Sequence, residues 1–391
     1  MKNILKRIEE LKPEITALVK EIHANPEIGH KEFYAVELQT SLLEKHGFTI
    51  EKEVAGLKTA YTAVYEGSKP GTTVGYLAEY DALEGMGHAC GHNMIAGIAC
   101  CCAIALKDAV DQYGGKVMVV GAPAEETDGG KVYLAKAGIY DQLDVAMMAH
   151  PDYAFIRSGD MYAIQPLQFD FYGRESHAAA EPEKGINALD GVLQLFTAIN
   201  ALREHVKSTV RMHGIVKHGG DAANIVPGYA SAQFYIRDAD KNYLSEVVER
   251  VKACARGAAA CTGTELKIIE FENAYDNVAT NNTLSERATD YLLELGIPGP
   301  IPREDSLGSS DVGNVSQVCP TIHAWFDVTG TRDIATHMRE FAGCVVSEYG
   351  LNNMYTQIAA LVKTGEDVLT QPEFLEAVKE EFQKNVKKSD A

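Results

Sequence analysis

Three short stretches and one isolated histidine carry the side chains suited to metal or acid–base chemistry. In GHACGHN, Gly87 to Asn93, a single glycine separates Cys90 from His92. Glu125 and Glu126 are adjacent in GAPAEETDGG, His150 closes the apolar run MMAHP, and His337 stands apart near the C-terminus. Metal binding needs several thiolate, imidazole or carboxylate donors converging from separate loops. Taken singly, each group has a plainer reading. A lone histidine is usually a hydrogen-bonded loop residue, a Cys-x-His pair is weak evidence for metal, and two acids after a strand suit a helix start. Adjacent acids at a sheet edge nevertheless repel each other unless something positive neutralises them. Their joint placement favours a metal site, with the glycines folding the backbone so that Cys90 and His92 face one point. A nucleophilic Cys90 is the weaker alternative, because coordination would occupy its thiolate.

The elements around these residues bring them to one edge. Ile4, Ile8, Leu11, Ile15, Leu18 and Ile22 recur at helical spacing, and Pro13 is expected to divide that stretch into two helices or to start the second. Short apolar strands then alternate with helices: TAVYE, TTVGYLAEYD, a helix from Asn93 to about Val110, KVMVVGAPAEE and DVAMMAHPD. That alternation predicts an α/β domain with a mixed, mostly parallel sheet, whose functional groups collect at the carboxyl ends of the strands. Asp81, Glu125, Glu126 and His150 all follow such strands. From residue 165 the rhythm becomes strand, helix from about Gly185 to His205, strand, strand, helix, strand, which is a ferredoxin-like α+β unit. After Asn277 the first pattern resumes with TIHAWFDV and a helical tail. The expected organisation is a discontinuous domain, 1–164 with 277–391, carrying an inserted domain at 165–276.

Composition narrows the classes of function. The 391 residues are 46% hydrophobic and 23% charged, as in an ordinary globular protein, and the net charge of -19 disfavours nucleic acid and anionic membrane surfaces. The N-terminal stretch lacks the uninterrupted apolar core of a signal peptide, and the apolar run Met94 to Leu106 is shorter than the roughly 20 residues of a bilayer span. A cytoplasmic location is expected. Cys100, Cys101 and Cys102 read as small core residues, and Cys254, Cys261, Cys319 and Cys344 also have apolar neighbours.

The blocks EYDALEGMGHACGHN, GAPAEETDGGK, MMAHP, GRESHAAAEPEKGINALD, AANIVPGYASAQFYIR and GSSDVGNVSQVCPTIHAWF, in that order, resemble the aminoacylase/carboxypeptidase/carnosinase family of di-metal amidohydrolases. HANPEIGHKE near the N-terminus fits as well. The resemblance is closest to the cysteine-motif branch, on the side of aminobenzoyl-glutamate hydrolase and β-alanyl dipeptidase-like proteins, although many relatives carry Asp where this chain has Asn93.

What the resemblance implies is specific. Cys90, His92, Glu126, His150 and His337 would hold two divalent ions, with His323 a nearby competitor for the last place. The donor set favours zinc and also accommodates manganese, nickel or cobalt. Glu125 would be the general base toward a water activated by both metals, and Asp81 would orient an imidazole ligand. Glu79 receives no role. The inserted domain would be a lid and dimerisation domain, with His177 reaching a neighbouring subunit's site to support the oxyanion. Asn224 and Arg237 would bind the substrate's carboxylate end, and the backbone of LGSSD, including Gly308 and Ser309, offers further N–H groups. His218 and His323 are plausible pocket residues. The implied activity is hydrolysis of a small amide: a dipeptide, or an N-acyl or aminobenzoyl amino acid, by a homodimer. A non-catalytic metal or small-ligand binder is the alternative, and a purely structural assembly role the third; neither needs the full set of polar groups.

Overall fold

A computed structural model describes residues 1–389; residues 390 and 391, the end of the segment 277–391, lie outside the described residues. The strands are β1 (Thr49–Lys52), β2 (Tyr61–Glu66), β3 (Thr73–Ala78), β4 (Lys116–Gly121), β5 (Val145–Asp152), β6 (Ala163–Tyr172), β7 (Arg211–His218), β8 (Tyr229–Asp238), β9 (Glu265–Ile269) and β10 (Thr321–Asp327). The helices are α1 (Lys2–Ala24), α2 (Phe33–Lys45), α3 (His92–Tyr113), α4 (Gly130–Lys136), α5 (Ala188–Leu202), α6 (Lys241–Thr262), α7 (Asn282–Glu294), α8 (Val312–Ser316), α9 (Phe341–Cys344), α10 (Glu348–Thr370) and α11 (Pro372–Ser389).

The larger sheet has the order β1-β2-β4-β3-β5-β10. β3, β4, β5 and β10 run parallel, while β1 and β2 are antiparallel additions at one edge. Side chains alternate across it, as pleating requires. Val117 and Val119 of β4 join the core under α1, α3 and α10, whereas Met118 and Val120 face the opposite core with Leu134 of α4 and Val312 and Val315 of α8. Both faces are therefore covered, and the strands read as continuous apolar runs.

α3 is long and apolar enough, by length and composition, to cross a membrane. Here it is the central helix of the first core, wedged between the sheet, α1 and α10.

The smaller sheet, β7-β8-β6-β9, is antiparallel throughout, with α5 and α6 on one face and a core of its own. Its element order β6-α5-β7-β8-α6-β9 is the ferredoxin-like arrangement. Along β8, Phe234, Ile236 and Asp238 are buried, while Tyr235 and Arg237 are half-buried on the other face.

Two details depart from the sequence pattern. Pro13 does not divide the N-terminal stretch, because α1 runs unbroken through it. Pro13 is on the solvent side, where the carbonyl it frees can be hydrated, and the buried stripe from Ile4 to Ile22 holds the helix together. α5 starts at Ala188 rather than near Gly185, because the Asn187 side chain accepts from the Leu189 and Asp190 N–H groups and caps it there.

α1 and α3 approach closely at Gly97, where an added Cβ would lie 2.4 Å from Val19 Cγ2. Gly97→Val should lower unfolding free energy by about 1–3 kcal/mol through overpacking, measured by urea denaturation.

Candidate metal and catalytic site

The carboxyl ends of β3, β4 and β5 supply the site. β3 ends at Ala78 and delivers Glu79 and Asp81; β4 ends at Gly121 and delivers Glu125 and Glu126; β5 carries His150. Cys90 and His92 come from the turn into α3, whose first residue is His92 and whose preceding Gly91 adopts φ 85°. That left-handed conformation is open to glycine at little cost.

Local bonds aim each donor. Asp81 Oδ1 accepts from His92 Nδ1 at 2.9 Å, so His92 presents Nε2 to the cavity. Asp81 Oδ2 accepts from the Glu126 N–H at 3.0 Å. His150 Nδ1 donates to the Pro151 carbonyl at 2.8 Å, leaving Nε2 3.4 Å from Cys90 Sγ. His337 Nε2 is 3.1 Å from Glu126 Oε1, and the His337 N–H donates to the Ala89 carbonyl at 2.9 Å. His337 holds φ 69° on an exposed loop, a conformation uncommon outside glycine.

The donor atoms form overlapping groups of three, each spanning no more than 4.8 Å: Cys90, His92 and His150; Cys90, Glu126 and His337; and His92, Glu125 and Glu126. Cys90 is common to the first two, so two ions held by these groups would share it as a neighbour. Sulfur and nitrogen donors on one tetrahedral zinc lie about 3.5 Å apart, close to the Cys90–His150 separation. His92 Nε2 is buried without a hydrogen-bond partner, as a nitrogen reserved for a metal would be. His323 is in none of these groups. It is buried beside His150 and Trp325, and its N–H donates to Ser158 Oγ.

Electrostatics agree with a metal centre. Burial, with help from His323 and His92, pulls His150 down to about 3 and keeps the ring neutral. Burial pushes the Cys90 thiol well above its ordinary value, so a cation is needed to ionise it. This disfavours Cys90 as a free nucleophile. Burial would also raise Glu126, but its bond to His337 and the nearby His92 bring it to about 2. Burial and the charges of Glu79, Asp311 and Glu126 raise Glu125 well above the carboxylate range.

The remaining positions fall into two places. Arg237 Nη1 donates to Ser309 Oγ at 3.0 Å, and both line a cavity of about 250 Å³ with Glu125 and Glu126. The Gly308 N–H is taken by Ser306 Oγ and its carbonyl by Tyr162, so that amide is not offered to a carboxylate. His177 and Asn224 lie outside this cavity, exposed and joined to each other where the Ala178 N–H donates to the Asn224 carbonyl. The Ala179 and Ala180 N–H groups donate to His177 Nδ1. His218 stacks on Tyr229 in the same smaller domain. Asn93 turns away from the donors, its Nδ2 donating to the Val19 carbonyl of α1.

Three further residues shape the site. Lys131 is buried, its Nζ 2.6 Å from Glu79 Oε1 and 2.7 Å from Asp311 Oδ1. Lys131, with His92 and His150, outweighs burial and holds Glu79 at about 2. Glu32 is buried and accepts from the Ala124 N–H at 2.8 Å, bracing a turn in which Ala124 holds φ 60°. Their signals were faint: Glu32 and Lys131 lie within HANPEIGHKE and GAPAEETDGGK, and Asp311 ends LGSSD.

The fold and donor set define a dinuclear metallohydrolase. Residues 166–260 match the peptidase dimerisation domain of the M20 family. The chain is 35% identical to the Xaa-Arg dipeptidase of Mus musculus, over 96% of this chain and 90% of that protein. It is 32% identical to one of the polypeptides of the p-aminobenzoyl-glutamate hydrolase of Escherichia coli, over 74% of this chain and 64% of that polypeptide. The solved structure of a dinuclear metal-binding peptidase of the M20 family from Bacillus subtilis shares its fold, with a TM-score of 0.71 and 20% identity, covering 93% of this chain and 99% of that one. The chain belongs to the M20 family of metallopeptidases, and it is a metal-dependent amide-bond hydrolase.

Asp81→Ala should weaken metal affinity by about 10–100-fold by freeing the His92 ring, measured by competition with a chromogenic chelator.

Proposed function

We propose that the protein hydrolyses dipeptides or N-acyl amino acids bearing a free C-terminal carboxylate. The observation that carries this is the half-buried Arg237, bonded to Ser309 beside Glu125 and Glu126 in one cavity, with no ion-pair partner among the described residues. A guanidinium there matches a substrate carboxylate. Cys90, His92, Glu126, His150 and His337 hold two divalent ions, and thiolate with imidazole and carboxylate favours zinc. When bound, the ions supply Lewis-acid activation of water and of the amide carbonyl. Glu125, ionised once cationic charge beside it offsets the neighbouring acids that raise it, takes the proton of the attacking water and returns it to the leaving nitrogen. Ser310 Oγ donates to Glu125 Oε1 at 3.0 Å and steadies that carboxylate. Asp81 fixes His92.

Residues 1–164 with 277–391 form the catalytic domain in this reading, and 165–276 the lid through which two protomers pair. β7 is an edge strand with Ile215 and Val216 exposed, and Leu193 of α5 is exposed as well, giving a partner an apolar surface. His177 and Asn224, remote from their own cavity, act in the partner's. Eight unpaired cysteines suit a reducing cytoplasm.

Chelation should abolish turnover of alanyl dipeptides, and added zinc or manganese should restore it. Glu125→Gln should lower kcat by about 10²–10⁴-fold while metal analysis still finds two ions per protomer. Full activity after chelation would refute the metal reading. Mixing inactive His177→Ala and Glu125→Gln protomers should regenerate activity by forming one intact composite site. Its absence, with protomer exchange shown by native mass spectrometry, would place His177 outside catalysis.

A further inference from the structure

We propose that Glu272 is a specificity-determining residue that selects a cationic side chain on the C-terminal residue of the substrate. The protein then acts on dipeptides ending in arginine or lysine rather than glutamate. This rests on the hydrolase reading above and deepens it. The two relatives named above have substrates whose terminal residues carry opposite charges, so family membership alone does not choose between them.

The choice lies in two opposite charges that line the same cavity and leave each other free. Arg237 and Glu272 both face it, yet neither has an ion-pair partner among the described residues, and they are not paired with one another. Tyr235 stands between them. It shares a face of β8 with Arg237, since alternate strand residues point the same way, and the Arg237 guanidinium carbon is 5.9 Å from its ring centre. Its hydroxyl donates to Glu272, 2.8 Å from Oε2 and 3.0 Å from Oε1, fixing the carboxylate at the cavity wall. Burial and the Glu272 charge push Tyr235 up to about 12, so it remains a donor. A carboxylate has about four lone-pair sites, so Glu272 keeps capacity for a guanidinium or ammonium.

Connectivity of the substrate decides which group reaches Glu272. With the scissile amide at Glu125 and Glu126 and the terminal carboxylate on Arg237 and Ser309, the terminal α-carbon lies beside Arg237. Its side chain leaves from that carbon, toward Tyr235 and Glu272. The N-terminal amine belongs to the other half of the substrate, separated from the terminal carboxylate by the scissile amide. A lysine or arginine stem would pass the Tyr235 ring, which Phe271 packs against edge-on at 5.4 Å. A glutamate side chain would instead bring a second anion to Glu272. Arg237 is the only cation lining the cavity among the described residues, and the terminal carboxylate occupies it.

The test compares kcat/KM of the zinc-loaded protein for alanyl-arginine, alanyl-lysine, alanyl-norleucine and alanyl-glutamate, for wild type, Glu272→Gln and Glu272→Lys. A charge-assisted contact of this kind should give wild type about a ten-fold preference for arginine over norleucine. Glu272→Gln should reduce that ratio to near one, and Glu272→Lys should turn the preference toward glutamate. Calorimetric binding of free arginine and free norleucine to the same variants reads the subsite without turnover and should show the same ratios. An arginine preference undiminished in Glu272→Gln overturns the assignment. So does metal-dependent cleavage by wild type with no preference, which leaves the hydrolase reading standing. If none of the four dipeptides is cleaved with metal present, the hydrolase reading falls and this assignment with it.

Discussion

Negative charge gathered at one edge of a parallel sheet governs this structure. Glu79, Asp81, Glu125, Glu126 and Asp311 converge there with the Cys90 thiol, in surroundings too enclosed for water to screen them well. Like charges about 4 Å apart cost roughly 4 kcal/mol even at an effective dielectric of 20. The chain answers part of this with its own buried cation: the Lys131 ammonium lies between Glu79 and Asp311, and the Lys131 N–H also donates to Asp311 Oδ2. In the proposed reading, the rest is left for ions that the thiol, imidazoles and Glu126 would hold. On that reading Lys131 marks a division, with Glu79 and Asp311 paired to a cation within the fold and Glu126 left for metal.

That division depends on backbone placed where it would not rest alone. Ala124 and His337 both adopt positive φ, at the turns that present Glu126 from one side and an imidazole from the other. Each is held by a bond to a neighbouring segment, Ala124 through the Glu32 carboxylate and His337 through the Ala89 carbonyl. Strain of this kind persists only where surrounding structure over-determines it. α1, α3, α10 and the sheet pack together beneath it, so that loops from four parts of the chain meet on one packed platform.

The smaller domain contributes a different kind of chemistry. Its helices bury one face of the antiparallel sheet, and on the other face Tyr235 and Arg237 line a cavity with Glu125 and Glu126. β8 therefore carries core residues and cavity-lining residues in alternation. Tyr235 and Arg237 belong to the second set, and in the proposed reading they would recognise the substrate's C-terminal residue beside the place where its amide is cut. His177 and Asn224 sit elsewhere on that domain, which makes pairing of two protomers part of the chemistry in this reading.

Much was legible in the amino-acid sequence because it depended on short spacings. Cys90 and His92 face together because one glycine separates them, and Glu125-Glu126 follow an apolar strand whose end must lie at the functional edge. The two sheet types, too, follow from local alternation of strand and helix. Pro13 misleads because a proline on the solvent side of a well-packed helix frees a carbonyl that water can satisfy. Lys131 and Asp311 are 180 residues apart, and a lysine at the start of KVYLAK has the pattern of a solvated helix turn. Likewise Glu272 follows a short edge strand, with nothing nearby to mark it. Only the tertiary structure placed Lys131 among carboxylates, put His337 rather than His323 beside Glu126, and set Glu272 across from Arg237. Such decisions rest on long-range packing and on charges brought together by the fold, which local spacing does not encode.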